Sequence, residues 1–172
     1  VDWNPAPPDA NMGLTRGVDL VYHRGVVIED PVVTSSLSPN MQEAGLYVTA
    51  TLSNYSDIEQ NTTLRARIES VDITMELSLK PGEKKTITLD PSAYPTLLIK
   101  QPRLWMPHTW GKPELYEAEL TIETSGEISD MRNVSFGIRE VSDYLNPDGH
   151  RGYKINHQPI LLKGAGWVDD LM

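Results

Sequence analysis

Long stretches of this chain alternate apolar and polar residues with a period of two. Leu46, Val48, Ala50 and Leu52 are separated by Tyr47, Thr49 and Thr51. Leu64, Ala66 and Ile68 alternate with Arg65 and Arg67, and Ile73, Met75, Leu77 and Leu79 with Thr74, Glu76 and Ser78. Tyr116, Ala118, Leu120 and Ile122 alternate with Glu117, Glu119 and Thr121, and Val134, Phe136 and Ile138 with Ser135 and Gly137. Side chains of a strand point alternately to opposite faces, so each run buries one face and wets the other. No window carries the three-to-four-residue apolar spacing of an amphipathic helix.

Turn chemistry separates the runs. Lys80-Pro81-Gly82-Glu83 suits a type II turn, in which proline presets φ and glycine accepts positive φ. Asn54 to Asn61 is a polar loop, and Ser125-Gly126-Glu127 divides the Tyr116 run from the next. Adding Val26–Val33 and Lys85–Leu89 gives about seven antiparallel strands. The pattern predicts an all-β chain folded as an immunoglobulin-like β-sandwich. The cysteine pair that pins antibody domains is missing, so apolar burial alone holds the core.

Composition narrows function. With no cysteine, disulfide scaffolds, zinc knuckles and thiol nucleophiles are excluded. A formal net charge of −9, with no run of Lys or Arg, lacks the footprint of a nucleic-acid binder. No stretch approaches the roughly 20 apolar residues of a membrane span, so no membrane partner is expected.

Three zones follow. Residues 1–16 are rich in Pro, Asn and Asp and read as an irregular linker. They contain no signal peptide and no initiator Met, so they look like a boundary inside a longer protein. Residues 17–142 hold the sandwich. Residues 143–172 change character: Tyr153 to Lys163 reads as a hairpin turning at Asn156 to Gln158. Its second strand, Ile160 to Lys163, opens with the continuous apolar run Ile160-Leu161-Leu162, of the kind buried on both sides in a parallel sheet. The chain is expected to stop as another domain begins.

Chemistry-bearing constellations are scarce. His23, His108, His150 and His157 sit in no nucleophile or metal motif. No glycine-rich phosphate loop is present, and no cofactor or metal site is expected. Glu117, Glu119 and Glu123 fall on the wet face of one strand, which fits solubility better than a catalytic pair. Three Asn-X-Ser/Thr triplets begin at Asn54, Asn61 and Asn133 and matter only on a eukaryotic secretory route. Trp105 and Trp110 flank a turn and read as plugs beneath loops, with a sugar-stacking platform as the alternative. For Trp3 and Trp167 composition favours neither role.

The segments Leu104-Trp105-Met106-Pro107 and Gly111-Lys112-Pro113-Glu114-Leu115-Tyr116 resemble the LWWP…G.P.LY segment of glycoside hydrolase family two. Phe136-Gly137-Ile138-Arg139-Glu140, with Ile155-Asn156-His157-Gln158-Pro159-Ile160 and Lys163-Gly164, resembles the family's FGiRe…iNGkpi.lkG signature. There it marks the passage from an immunoglobulin-like domain into a catalytic (β/α)8 barrel. His157 stands where the family often has glycine. Asp2-Trp3-Asn4-Pro5 through Met12-Gly13, with Gly164-Ala165-Gly166-Trp167, resembles the exo-β-D-glucosaminidase branch more than the β-mannosidase or β-galactosidase branches.

The resemblance implies a retaining exo-β-glycosidase parent, exported to the periplasm or medium, acting on terminal glucosamine of chitosan-type oligosaccharides. It implies residues 1–16 as the end of a jelly-roll domain and 143–172 as the approach to the barrel, both partners of the sandwich. In the family the acid/base glutamate follows an asparagine, and this sequence contains no Asn-Glu pair. No catalytic residue is therefore expected within the chain. Asp2 and Trp3 inherit a role near the sugar subsite. Trp167, Asp169 and Asp170 lie past the first barrel strand, at the end where barrel active sites sit. Rival readings are a stand-alone carbohydrate-binding module and an adhesion-type domain with a protein partner.

Overall fold

The computed structural model describes Leu14, residues 17–164 and Gly166. Among them run β1 (Val26–Leu37), β2 (Glu43–Asn54), β3 (Gln60–Ile68), β4 (Val71–Leu79), β5 (Lys84–Leu89) and β6 (Leu98–Lys100). β7 (Tyr116–Thr124), β8 (Glu127–Phe136), β9 (Val141–Leu145), β10 (Arg151–Ile155) and β11 (Gln158–Ile160) follow. The one helical element among the described residues is a 3₁₀ turn at Pro95–Leu97, ahead of β6.

Two antiparallel sheets face each other. In the first, β2 pairs with β1 on one side, and β5 and β6 share its other edge. The second has the order β4-β3-β7-β8. Between them lies the core that the alternation predicts: Leu46, Val48, Ala50 and Leu52 from β2, Leu64 and Ile68 from β3, Leu120 and Ile122 from β7. The outward residues of β2 and β5 pair as threonine ladders, with Thr49 and Thr51 hydroxyls 3.0 and 2.9 Å from those of Thr88 and Thr86. Cross-strand pairs of this kind are the unit of sheet stabilisation.

The turns follow their residues. Pro81 and Gly82, with Gly82 at φ +70°, form the expected turn, closed by the Glu83 N–H donating to Lys80 O at 3.0 Å. Ser125 and Gly126, at φ +54° and +79°, make the two-residue hairpin between β7 and β8. β8 therefore starts at Glu127, earlier than its alternation suggests, because its first half is edged with polar residues that serve another purpose. The Ser129 hydroxyl donates to Val26 O at 2.7 Å and accepts from Val26 N–H at 3.1 Å. The Asp130 carboxylate accepts from Ile28 N–H at 2.9 Å, and Arg132 Nε donates to Ile28 O at 3.2 Å. These bonds stitch β1 to β8 in parallel where no ladder joins the two sheets.

β1 runs on to Leu37 through a bulge between Glu29 and Val32, with Asp30 at φ +48°. The extra residues turn Val32 outward and bring Val33 and Leu37 back to the core. A third sheet, β11-β10-β9, follows the sandwich. Its hairpin matches the sequence reading, but β9 is an addition. The strand expected at Ile160 to Lys163 lies earlier: β11 runs from Gln158, read as part of the turn, to Ile160, and Leu161 and Leu162 beyond it are 79% and 59% exposed. Among the described residues only β10 pairs with β11, so nothing covers the far side of that run.

Candidate functional site

The three internal segments that carry the family resemblance lie far apart in sequence and meet at one end of the sandwich. Leaving β8, Gly137 lies under the Trp105 indole. A Cβ there would sit 2.7 Å from Trp105 Cβ, so only glycine admits the ring. The Arg139 guanidinium lies over the same ring, 4.4 Å from its centroid. Backbone bonds fix Trp105 further: its N–H donates to Ile138 O at 2.9 Å, and Met106 N–H donates to Lys112 O at 3.0 Å.

Asn156 joins the third sheet to this knot. It is fully buried. Its Nδ2 donates to Trp105 O at 3.0 Å, and its Oδ1 accepts from Glu140 N–H at 3.0 Å. Its own N–H donates to Glu140 O at 2.9 Å. Asn156 and His157 both take positive φ, +48° and +64°, as a two-residue hairpin of this hand requires. Asparagine tolerates that conformation and glycine prefers it; histidine adopts it at a cost. The His157 ring lies between Glu140, with Nδ1 3.4 Å from Oε1, and the Ser38 carbonyl, 3.4 Å from Nε2. Glu140 also accepts from Leu37 N–H at 3.4 Å, and Ser35 and Arg139 exchange two bonds of 3.0 and 3.2 Å. The junction is a polar clamp fixing how the chain leaves the sandwich.

The clamp holds no arrangement for bond breaking. Glu140 is its one carboxylate, and it is occupied by Leu37 and His157. On the outer face of β7, Glu119 pairs with Arg67, as a solubilising face would. Trp105 is the half-buried plug that the sequence suggests. Trp110 departs from that reading: it is 41% exposed at the tip of a tight turn, where its N–H donates to Pro107 O at 2.7 Å. Asp2, Trp3, Trp167, Asp169 and Asp170 lie outside the described residues. Asn156 and Glu140 were missed as site residues in the sequence. Both lie in the segments that carry the resemblance, but pairing residues 16 positions apart needs the fold.

At the opposite end of the sandwich a second polar group forms. Tyr55 donates its hydroxyl to Glu29, and Lys84 Nζ lies 3.0 Å from the same carboxylate. Tyr55, then Lys84, hold the Glu29 carboxyl down at about 2.

Comparison with known proteins matches the profile of glycosyl hydrolases family 2 to residues 26–139. An exo-beta-D-glucosaminidase of Streptomyces avermitilis is 36% identical over 173 residues, covering 99% of this chain and 19% of that protein. The crystal structure of Amycolatopsis orientalis exo-chitosanase CsxA superposes with a TM-score of 0.84 at 32% identity, over 98% of this chain and 19% of that one. A beta-D-mannosidase from Dictyoglomus thermophilum, at 24% identity and a TM-score of 0.66 over 85% of this chain and 18% of that one, shares the fold. The chain spans about a fifth of the length of these relatives.

Proposed function

The chain belongs to glycosyl hydrolases family 2, and from that premise we propose that it is the non-catalytic sandwich portion of a retaining exo-β-glycosidase. The whole protein would release terminal β-linked glucosamine from chitosan-type oligosaccharides and work outside the cytoplasm. Within it, residues 17–142 form the sandwich domain, residues 1–16 end a preceding jelly-roll domain, and residues 143–172 lead into a catalytic barrel. Asp2, Trp3, Trp167, Asp169 and Asp170 would approach the substrate from those two flanks.

The observation that carries this reading is the clamp. Trp105, Gly137, Arg139, Glu140 and Asn156 supply no reacting group, yet they fix the direction of the third sheet by hydrogen bonds of 2.9–3.0 Å at Asn156. Such a device is worth building where something large must be held at a set angle. Catalytic geometry tolerates little misplacement, and 1 Å of error costs about a hundredfold in rate.

The test is a hydrolysis assay of the purified chain on 4-nitrophenyl β-D-glucosaminide and chitosan oligomers. No turnover is expected. Activity that survives repurification overturns the non-catalytic reading. The source gene beyond Met172 should encode repeated strand–helix units and an Asn-Glu pair, and an unrelated domain there overturns the barrel.

Exposed Trp110 favours one second reading, sugar binding by the sandwich itself. Quenching of tryptophan emission by chitosan oligomers, abolished in Trp110→Ala, would establish it; emission unchanged at saturating sugar would eliminate it.

A further inference from the structure

The three Asn-X-Ser/Thr triplets meet different fates in the fold. Asn54 is 1% exposed. Its Nδ2 donates to the carbonyls of Ile58, Leu79 and Lys80 at 2.8, 3.0 and 3.1 Å. Its Oδ1 accepts from the Ser56 N–H and hydroxyl at 2.9 and 2.7 Å. That amide ties the β2–β3 loop to the end of β4, and a substituent on Nδ2 would remove a donor and force the carbonyls apart.

Asn61 and Asn133 have the opposite surroundings. Both are exposed, on β3 and β8 respectively, and both point from the outer face of the β4-β3-β7-β8 sheet. Among the described residues neither amide takes part in a hydrogen bond. Asn133 stands opposite Glu119, which is paired with Arg67, and Asn61 stands opposite Ser78, whose hydroxyl donates to Glu59 at 2.6 Å. A hydrated sugar meets polar neighbours at both positions and displaces no packing.

We propose that Asn61 and Asn133 are acceptor sites for asparagine-linked sugar on any secretory route that carries an oligosaccharyl transferase, and that Asn54 is closed to it. In that step Nδ2 bonds to the anomeric carbon of a lipid-linked oligosaccharide. The carbon–oxygen bond to the lipid diphosphate breaks, its electron pair leaves with the diphosphate, and one amide proton passes to solvent. Transfer takes place on the extended chain; the fold decides which product survives. Sugar at both positions would turn the outer face of this sheet to solvent and leave the clamp and the third sheet uncovered for neighbouring domains.

The test is secretion of the full chain from yeast, with site mapping by enzymatic deglycosylation in heavy water and peptide mass. The folded fraction should carry glycan at Asn61 and Asn133 and none at Asn54. Asn133→Gln and Asn61→Gln should each remove one glycan and leave the melting temperature unchanged. An unoccupied Asn61 or Asn133 throughout the secreted protein, or a glycan at Asn54 in folded monomer, overturns the proposal.

Discussion

Two glycines show how much a single Cβ matters and how context sets the sign. At Gly137 the added carbon would meet Trp105 at its own Cβ, 2.7 Å away, on a residue pinned by its backbone. Gly137→Ala should cost about 1–3 kcal/mol, the range for overpacking, read as a lower urea midpoint. At Gly152 the nearest atom is Tyr144 Cζ at 2.5 Å, the far end of an exposed ring that can swing away. Gly152→Ala should shift the midpoint by less than half as much, and equal effects would mean the Trp105 ring is not pinned. His157 offers the reverse experiment. Its ring contacts are long, at 3.4 Å, and a half-buried pair held at that distance contributes about 0–1 kcal/mol. Left-handed backbone costs a β-carbon residue about 1–2 kcal/mol. Glycine relieves that strain but adds unfolded-chain entropy of about 0.4–1 kcal/mol. At the middle of those ranges His157→Gly should raise stability by about 0.3 kcal/mol with an unchanged urea slope.

At the scale of the element, legibility followed from periodicity. β2, β3, β4 and β7 are plain because apolar and polar residues alternate along each, even where Ser53 and Thr121 on the polar face are themselves buried. β1 was readable only to Val33, since a bulge at Glu29 to Val32 changes which parity points inward. The start of β8 was obscured because Ser129 and Asp130 face β1 as hydrogen-bonding groups in buried positions. The clamp was visible only as separate motifs, since Trp105, Glu140 and Asn156 reveal their partnership through bonds that no spacing encodes. The bulge also sets up an acid-sensitive contact. Glu29 is the last paired residue before the bulge, and its carboxyl lies at about 2, below its ordinary 4.5, through Tyr55 and Lys84. A depressed carboxyl stabilises the fold above its unfolded value, and that contribution fades as pH falls from about 4.5 towards 2. Asp72, beside Arg65, and Asp90, beside Ser92, are lowered in the same direction. Melting temperature should fall with acid across this window, and Glu29→Gln should flatten the slope; an unchanged slope would show that Tyr55 and Lys84 do not hold the carboxylate in solution.

At the scale of the whole molecule, burial is unequal. Among the described residues, every member of the apolar core comes from the sandwich and the segments within and just after it, up to Ile138. β9, β10 and β11 contribute none, and their attachment runs through Asn156 and the His157 contacts. Regions with few buried apolar contacts open at low free energy. Backbone amides of β9 to β11 should therefore exchange with heavy water well before those of β2, β3 and β7, and Asn156→Ala should widen the gap. Uniform protection across both parts would show that the third sheet folds as one unit with the sandwich.

The seam between β1 and β8 has a mechanical meaning. The chain enters β1 at one end of the sandwich and leaves β8 at the other, and the two strands lie side by side and parallel. A pull between these points does not peel bonds apart one at a time. It loads the bonds of Ser129, Asp130 and Arg132 to β1, and those between Ser35 and Arg139, in shear and together. Tension passing through the chain meets a strut rather than a zipper.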